Sequence, residues 1–170
     1  MNADGFKTCV RRPDVSAATC PERANGLRPA VFLDRDGTIN VDAGYVDRLE
    51  RFELYPFAID ALRIFKQAGY LVVVLTNQAG VAQGLYGEDF VATAARYLAD
   101  RAAAGGAAID GHYYCPHSPD AAVERYRVEC ECRKPRPGMA LRAAEATDVG
   151  LPFTRMVIPV FSVGRNPYGT

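Results

Sequence analysis

The stretch Ala30-Val31-Phe32-Leu33-Asp34-Arg35-Asp36-Gly37-Thr38 decides how this chain reads. Four apolar residues follow Pro29 and stop at Asp34, which predicts a short strand buried on both faces, as in a parallel sheet. Two carboxylates two residues apart then stand at the strand's carboxyl end, where open parallel sheets gather ligands. Such a pair can divide the work of a group transfer. One carboxylate attacks as a nucleophile while holding a metal, and the other gives a proton to the leaving oxygen and later takes one from water. Gly37 permits the tight turn that brings both around. The competing reading is a solvated Asp/Gly turn, common in loops.

Outward from this point, strand and helix alternate. Pro56 can open a helix, and Phe57, Ala61, Ile64, Phe65 and Ala68 make an i, i+4, i+7, i+8 face closed by Gly69. Residues 71–75, valine-rich and unbroken, predict a second buried strand. Glu88 and Asp89 suit the first turn of another helix, where acidic side chains meet the positive end of the dipole. Its face is Phe90, Ala94, Tyr97 and Leu98, and Gly105-Gly106 ends it. His112-Tyr113-Tyr114 predicts a third strand with His112 at its edge, and residues 115–137 an irregular loop. Pro137 starts a helix running to about Asp148 and stopped by Gly150, and residues 156–160 form a fourth apolar stretch. The alternation implies an α/β fold with a parallel sheet and right-handed crossovers, filling residues 29–170 as one domain. Residues 1–28 show no sustained period and predict a disordered extension, with Cys9 and Cys20 as unpaired thiols.

The chain has 170 residues, enough to bury a real core. Its 20 basic residues balance 20 acidic ones. That excludes an electrostatic footprint for nucleic acid or an anionic membrane, so a phosphorylated substrate needs local cations. The run at 71–75 is too short to span a bilayer, and no apolar segment follows Lys7, Arg11 and Arg12 as a secretory signal requires. The expected compartment is the cytoplasm, where thiols stay reduced. Five cysteines, an odd count, then argue for metal ligation or free thiols over a disulfide framework.

Two further segments carry chemistry. Thr76, Asn77 and Gln78 close the second strand, and a hydroxyl there can donate to a phosphoryl oxygen. A helix cap is the plainer alternative. Arg133-Lys134-Pro135-Arg136 puts cations just ahead of a helix. Lys134 suits a transferring phosphoryl group as a point charge, and Arg133 can clasp a second anion with two bonds. Arg136 reads as surface. Between these segments, Cys115-Pro-His117 and Cys130-Glu-Cys132 supply three thiols and an imidazole. That set suits tetrahedral zinc and excludes magnesium and calcium, which want oxygen. The site's expected task is structural: tying a long loop whose end delivers Arg133 and Lys134.

With the sequence Phe32-Leu-Asp-Arg-Asp-Gly-Thr-Ile-Asn40, then Gly44-Tyr45-Val46, Thr76-Asn-Gln78, Cys115-Pro-His117 and Cys130-Glu-Cys132-Arg-Lys134, the chain resembles the D-glycero-D-manno-heptose 1,7-bisphosphate 7-phosphatases. These belong to the haloacid-dehalogenase phosphatases. The resemblance covers residues 29–157 and implies a Rossmann-like, three-layer fold with a zinc-bound loop. It makes Asp34 the nucleophile and Asp36 the general acid/base. Mg2+ would lie on Asp34 and the backbone carbonyl of Asp36, and Zn2+ on Cys115, His117, Cys130 and Cys132. Substrate contacts carry over to Asp42, Gly44, Tyr45, Thr76, Asn77, Gln78, Arg133 and Lys134. The implied protein is a cytoplasmic monomer acting on a small phosphorylated sugar, on a route to lipopolysaccharide or related glycans.

After Met156-Val157 the family continues with Gly-Asp, then a final strand and helix, whereas this sequence has Ile158-Pro159-Val160. The expectation is a site short of one magnesium-binding carboxylate and a sheet short of its closing elements. Read two bases out of phase, the codons of Met-Val-Ile give Gly-Asp whenever the valine codon ends in G. Two alternatives stay open beside turnover of the heptose substrate. One is histidinol-phosphate phosphatase activity, whose enzymes share the zinc loop, and the other is a zinc-stabilised domain that binds phosphate without turnover.

Overall fold

The computed structural model describes residues 28–147 and 149, and the backbone of Arg155–Val157. Arg28, the last residue of the expected extension over 1–28, forms a parallel bridge with Val149. Residues 1–27 of that extension, with Cys9 and Cys20, lie outside the described residues. So do the departure at 158–159 and the expected lack of closing elements.

Four parallel strands make one sheet in the order β3-β2-β1-β4: β1 (Ala30–Leu33), β2 (Leu71–Asn77), β3 (Gly111–Cys115) and β4 (Arg155–Val157). The connections carry α1 (Ala58–Gln67), α2 (Ala79–Ala82) with α3 (Glu88–Ala104), and α4 (Gly138–Thr147). Because side chains alternate along a strand, β1 and β2 each feed two cores. Val31, Leu33, Val72 and Val74 pack with Leu62 of α1 and Leu98 of α3 on one face. Phe32, Leu71, Val73 and Leu75 pack with Met139 and Ala143 of α4 on the other. Unbroken apolar strands read in sequence as doubly covered are doubly covered. A smaller cluster of Val81, Ala82, Val91, Tyr114, Ala121 and Tyr126 seats the long loop after β3.

One helix face departs from expectation. On α1 the buried residues are Ala58 and Leu62, with Ile59 and Phe65 packed beside them. Phe57 and Ile64, placed inward from the sequence, are each 61% exposed, and Ala68 is exposed as well. The segment holds two apolar stripes about one residue, or 100°, apart, and periodicity alone does not say which meets the sheet. Phe57 instead stacks on Tyr55, centroids 5.3 Å apart.

The chain leaves β1 towards β2 on one side, and β4 pairs on the other. The strand order therefore reverses at β1, and a crevice opens beyond the carboxyl ends at such a switch point. Asp34 follows β1 directly, and the pairing of Leu33 with Val157 brings the end of β4 alongside.

Candidate active site

Asp34 and Asp36 leave β1 on a turn closed by backbone bonds from Ile39 and Asn40 to the Arg35 carbonyl. Gly37 takes φ +76°, the left-handed region the turn requires. Asp34 Oδ1 accepts from the Arg35 backbone N–H at 2.8 Å. Its Oδ2 lies 2.5 Å from Lys134 Nζ, which also donates to the Leu75 carbonyl at 2.9 Å. Residues far apart in sequence thus meet at one strand end.

Asp36 sits among donors. Oδ1 accepts from Arg35 Nη2 at 3.0 Å and Asn40 Nδ2 at 2.9 Å, and Oδ2 accepts from Gln78 Nε2 at 2.9 Å. The Arg35 guanidinium is fully buried beneath this carboxylate, 5.3 Å from the centroid of Phe52. A buried guanidinium costs several kcal/mol unless paired, and Asp36 is the pair. Sequence reading gave Arg35 and Asn40 no role, because a charge between two aspartates looks like a solvated turn. Nothing local announces its burial.

At the end of β2, Asn77 clamps the main chain of Lys134. Its Oδ1 accepts from the Lys134 N–H at 3.0 Å, and its Nδ2 donates to the Lys134 carbonyl at 3.2 Å. Thr76 is buried with Oγ1 beside Asp36, and Gln78 is buried behind them. Arg133 donates to the His117 carbonyl at 2.8 Å, tying the lysine's neighbour to the cysteine-histidine loop. Arg136 is exposed and pairs with Glu129 and Glu131, as expected of a surface residue.

Asp42, Gly44 and Tyr45 form an exposed loop on the other flank, where Gly44 N–H donates to Asp42 Oδ1 at 3.0 Å. Arg51 braces that loop through the carbonyls of Ala43 and Tyr45 and the carboxylate of Asp47. None of the three shares a hydrogen bond with Asp34 or Lys134 in the structure.

Cys115, His117, Cys130 and Cys132 bring their ligand atoms within 4.8 Å of one another. The thiols of Cys132 stand 3.1 Å from Cys115 and 3.0 Å from Cys130, and His117 Nδ1 is 3.4 Å from Cys132 Sγ. Three soft thiols and an imidazole gathered this closely are a donor set that fits zinc. The Cys132 thiol is pushed well up, first by its hydrogen bond with Cys115 and then by burial. Burial also lowers His117, keeping its imidazole neutral and free to ligate. Metal loading therefore displaces protons from this cluster. The loop has a second anchor. Glu88, at the start of α3, accepts from the Tyr114 hydroxyl at 2.5 Å and the Tyr126 hydroxyl at 2.7 Å.

A parallel sheet with helices on both faces, and with two carboxylates and a lysine at its carboxyl end, is the architecture of a HAD-like phosphatase fold. Solved structures agree. A Mesorhizobium loti protein described as HAD-like has a TM-score of 0.72 and 32% identity, over 76% of this chain and 62% of that one. A D,D-heptose 1,7-bisphosphate phosphatase from B. bronchiseptica, solved with magnesium and phosphate, has a TM-score of 0.63 and 32% identity, over 74% and 66%. No protein-family model matches the chain. The D-glycero-beta-D-manno-heptose-1,7-bisphosphate 7-phosphatase of Salmonella typhi is 44% identical over 129 residues, 76% of this chain and 69% of the relative. That of Escherichia coli (strain K12) is 45% identical over 129 residues, 76% and 68%. The chain belongs to the D-glycero-beta-D-manno-heptose-1,7-bisphosphate 7-phosphatase family, and its match spans 69% and 68% of these two relatives' length.

Proposed function

We propose that this chain is a phosphomonoester hydrolase that removes the 7-phosphate of D-glycero-D-manno-heptose 1,7-bisphosphate through an aspartyl-phosphate on Asp34. The observation that carries this reading is the meeting of Asp34 and Lys134 at the sheet's carboxyl end. A nucleophilic carboxylate needs a cation that holds the anionic phosphoryl group against it.

A carboxylate oxygen of Asp34 attacks phosphorus, and the bond to the sugar oxygen breaks. Asp36 gives that oxygen a proton, then takes one from the water that attacks the acyl phosphate, releasing inorganic phosphate. Delivering a proton requires one Asp36 oxygen to leave its set of donors. Lys134 neutralises charge on the phosphoryl oxygens, with Thr76 at the same strand end. Arg133, Asp42, Gly44 and Tyr45 meet the sugar and its second phosphate.

The hard oxygens of Asp34 and Asp36 suit magnesium, which supplies Lewis-acid neutralisation of the phosphoryl group when bound. Sequence beyond Val157 offers no carboxylate at 158–160, so the site is expected to hold that ion weakly. Zinc on Cys115, His117, Cys130 and Cys132 is structural, with no open position for chemistry.

No helix among the described residues is long and apolar enough to cross a membrane. Thiols gathered with an imidazole as a ligand set, a use that suits a reducing compartment, support reading the protein as cytoplasmic, and we read it as a monomer. The test is magnesium-dependent phosphate release by the purified chain, run with the heptose bisphosphate and with histidinol phosphate. Release from neither substrate, with phosphate still binding, would leave only a binding domain.

A further inference from the structure

We infer that Gln78 is a positioning residue for Asp36, and that Tyr86, which has no part in the reading of the sequence, fixes Gln78. This rests on the phosphatase reading above, with Asp36 as acid/base. Family resemblance makes Gln78 a substrate contact, yet its amide has nothing left to offer one. A glutamine amide carries two N–H donors and one oxygen with two lone pairs. Here Oε1 accepts from the Tyr86 hydroxyl at 2.9 Å and from Arg35 Nη2 at 3.0 Å. Nε2 donates to Asp36 Oδ2 at 2.9 Å and to Thr76 Oγ1 at 2.8 Å. All four capacities are spent inside the protein, and the side chain is 2% exposed.

The amide also cannot turn over. Reversed, its NH₂ would face the guanidinium and its lone pairs the carboxylate, leaving buried groups of like character in contact. Arg35 and Tyr86 together therefore hold the donor face towards Asp36. Tyr86 remains a donor at any working pH: burial, with Asp36 and Tyr45 adding to it against Arg35, pushes its phenol up to about 12.

Tyr86 is held in turn. Its ring meets Phe90 edge-on at 5.4 Å between centroids. It also lies across Gly80 of α2 so closely that a Cβ there would come 2.3 Å from the ring. A glycine in this four-residue helix leaves the room in which the phenol reaches Gln78. The chain of dependence runs Gly80, Tyr86, Gln78, Asp36.

The experiment compares wild type, Tyr86→Phe, Gly80→Ala and Gln78→Ala on the heptose bisphosphate. Each variant should lower kcat, by about 3- to 10-fold for the loss of the single hydroxyl bond in Tyr86→Phe. KM and the inhibition constant of inorganic phosphate should stay at wild-type values. A rise in KM or in that inhibition constant matching the fall in kcat would make Tyr86 or Gln78 a substrate contact and overturn the inference. Unchanged kcat would also overturn it. A readout that needs no turnover separates this failure from failure of the phosphatase reading. In ¹⁵N-glutamine-labelled protein, the Gln78 side-chain NH₂ should exchange slowly in wild type and several-fold faster in Tyr86→Phe. Equal exchange in the two would sink the coupling even if the enzyme is active. Slow wild-type exchange lost in the variant upholds it even if this substrate is not turned over.

Discussion

Lys134 Nζ stands 2.5 Å from Asp34 Oδ2 while donating to the carbonyl of Leu75, so the end of β2 holds the cation against the end of β1. Such an arrangement is preorganised: the charge is in place before a phosphoryl group arrives, and no reorganisation is needed during reaction. Asp34→Asn should abolish turnover, because an amide oxygen does not form the acyl phosphate. Lys134→Met should reduce kcat by about 10²- to 10³-fold. Single-turnover phosphate release measures both, and full activity in Asp34→Asn would refute the nucleophile.

Asn77 spends both ends of its amide on the Lys134 main chain. Asn77→Ala frees that segment without touching a charge, so kcat should fall about tenfold through misplacement of the ammonium group. Zinc content, measured alongside, should stay at the wild-type level. A variant that kept kcat would show that the lysine needs no such clamp.

The four sulfur and nitrogen donors predict one zinc per chain. Cys132→Ser should empty the site and cost about 3 kcal/mol, a fall of roughly 6–12 °C in Tm for a domain of this size. Metal analysis with thermal unfolding checks it. Chains purified under reducing conditions with no zinc and an unchanged Tm would remove the staple.

His112 gives a pH prediction. It is buried in β3, its Nε2 has no partner, and burial with the nearby Arg35 charge pushes it down to about 3, against the pull of Asp36. Its folded value lies below the unfolded one near 6.5. The stability it contributes is therefore whole above about pH 6.5 and is lost as pH falls towards 3, at up to about 1.4 kcal/mol per pH unit. His112→Asn should flatten that loss. Urea unfolding of both chains at pH 7.5 and 5.5 reads it, and parallel losses would contradict the argument.

The parts of this molecule visible in its sequence are those with a local signature. Val31 to Leu33 and residues 71–75 announce buried strands because nothing polar interrupts them, and Asp34 and Asp36 are placed by the strand before them. The zinc set is legible because three thiols and an imidazole clustered on one irregular loop have few other uses. Three features escaped. The orientation of α1 turns on which of two neighbouring stripes meets the sheet, and that is a tertiary choice. The burial of Arg35 depends on Phe52 and Gln78 closing round its guanidinium from other segments. Gln78 reads as a substrate contact from its position at a strand end, whereas its partners, Arg35 and Asp36 on the turn after β1 and Tyr86 beyond α2, decide its use.

Glu88 gives the long loop a hold that owes nothing to metal chemistry. Its two phenol bonds moor residues 114 and 126 to α3, while sulfur and nitrogen moor residues 115 to 132. Stripping the ion therefore slackens the stretch nearest Lys134 and leaves the remainder berthed. A lineage facing scarce zinc has in this carboxylate a foothold from which packing could take over the metal's task, one side chain at a time.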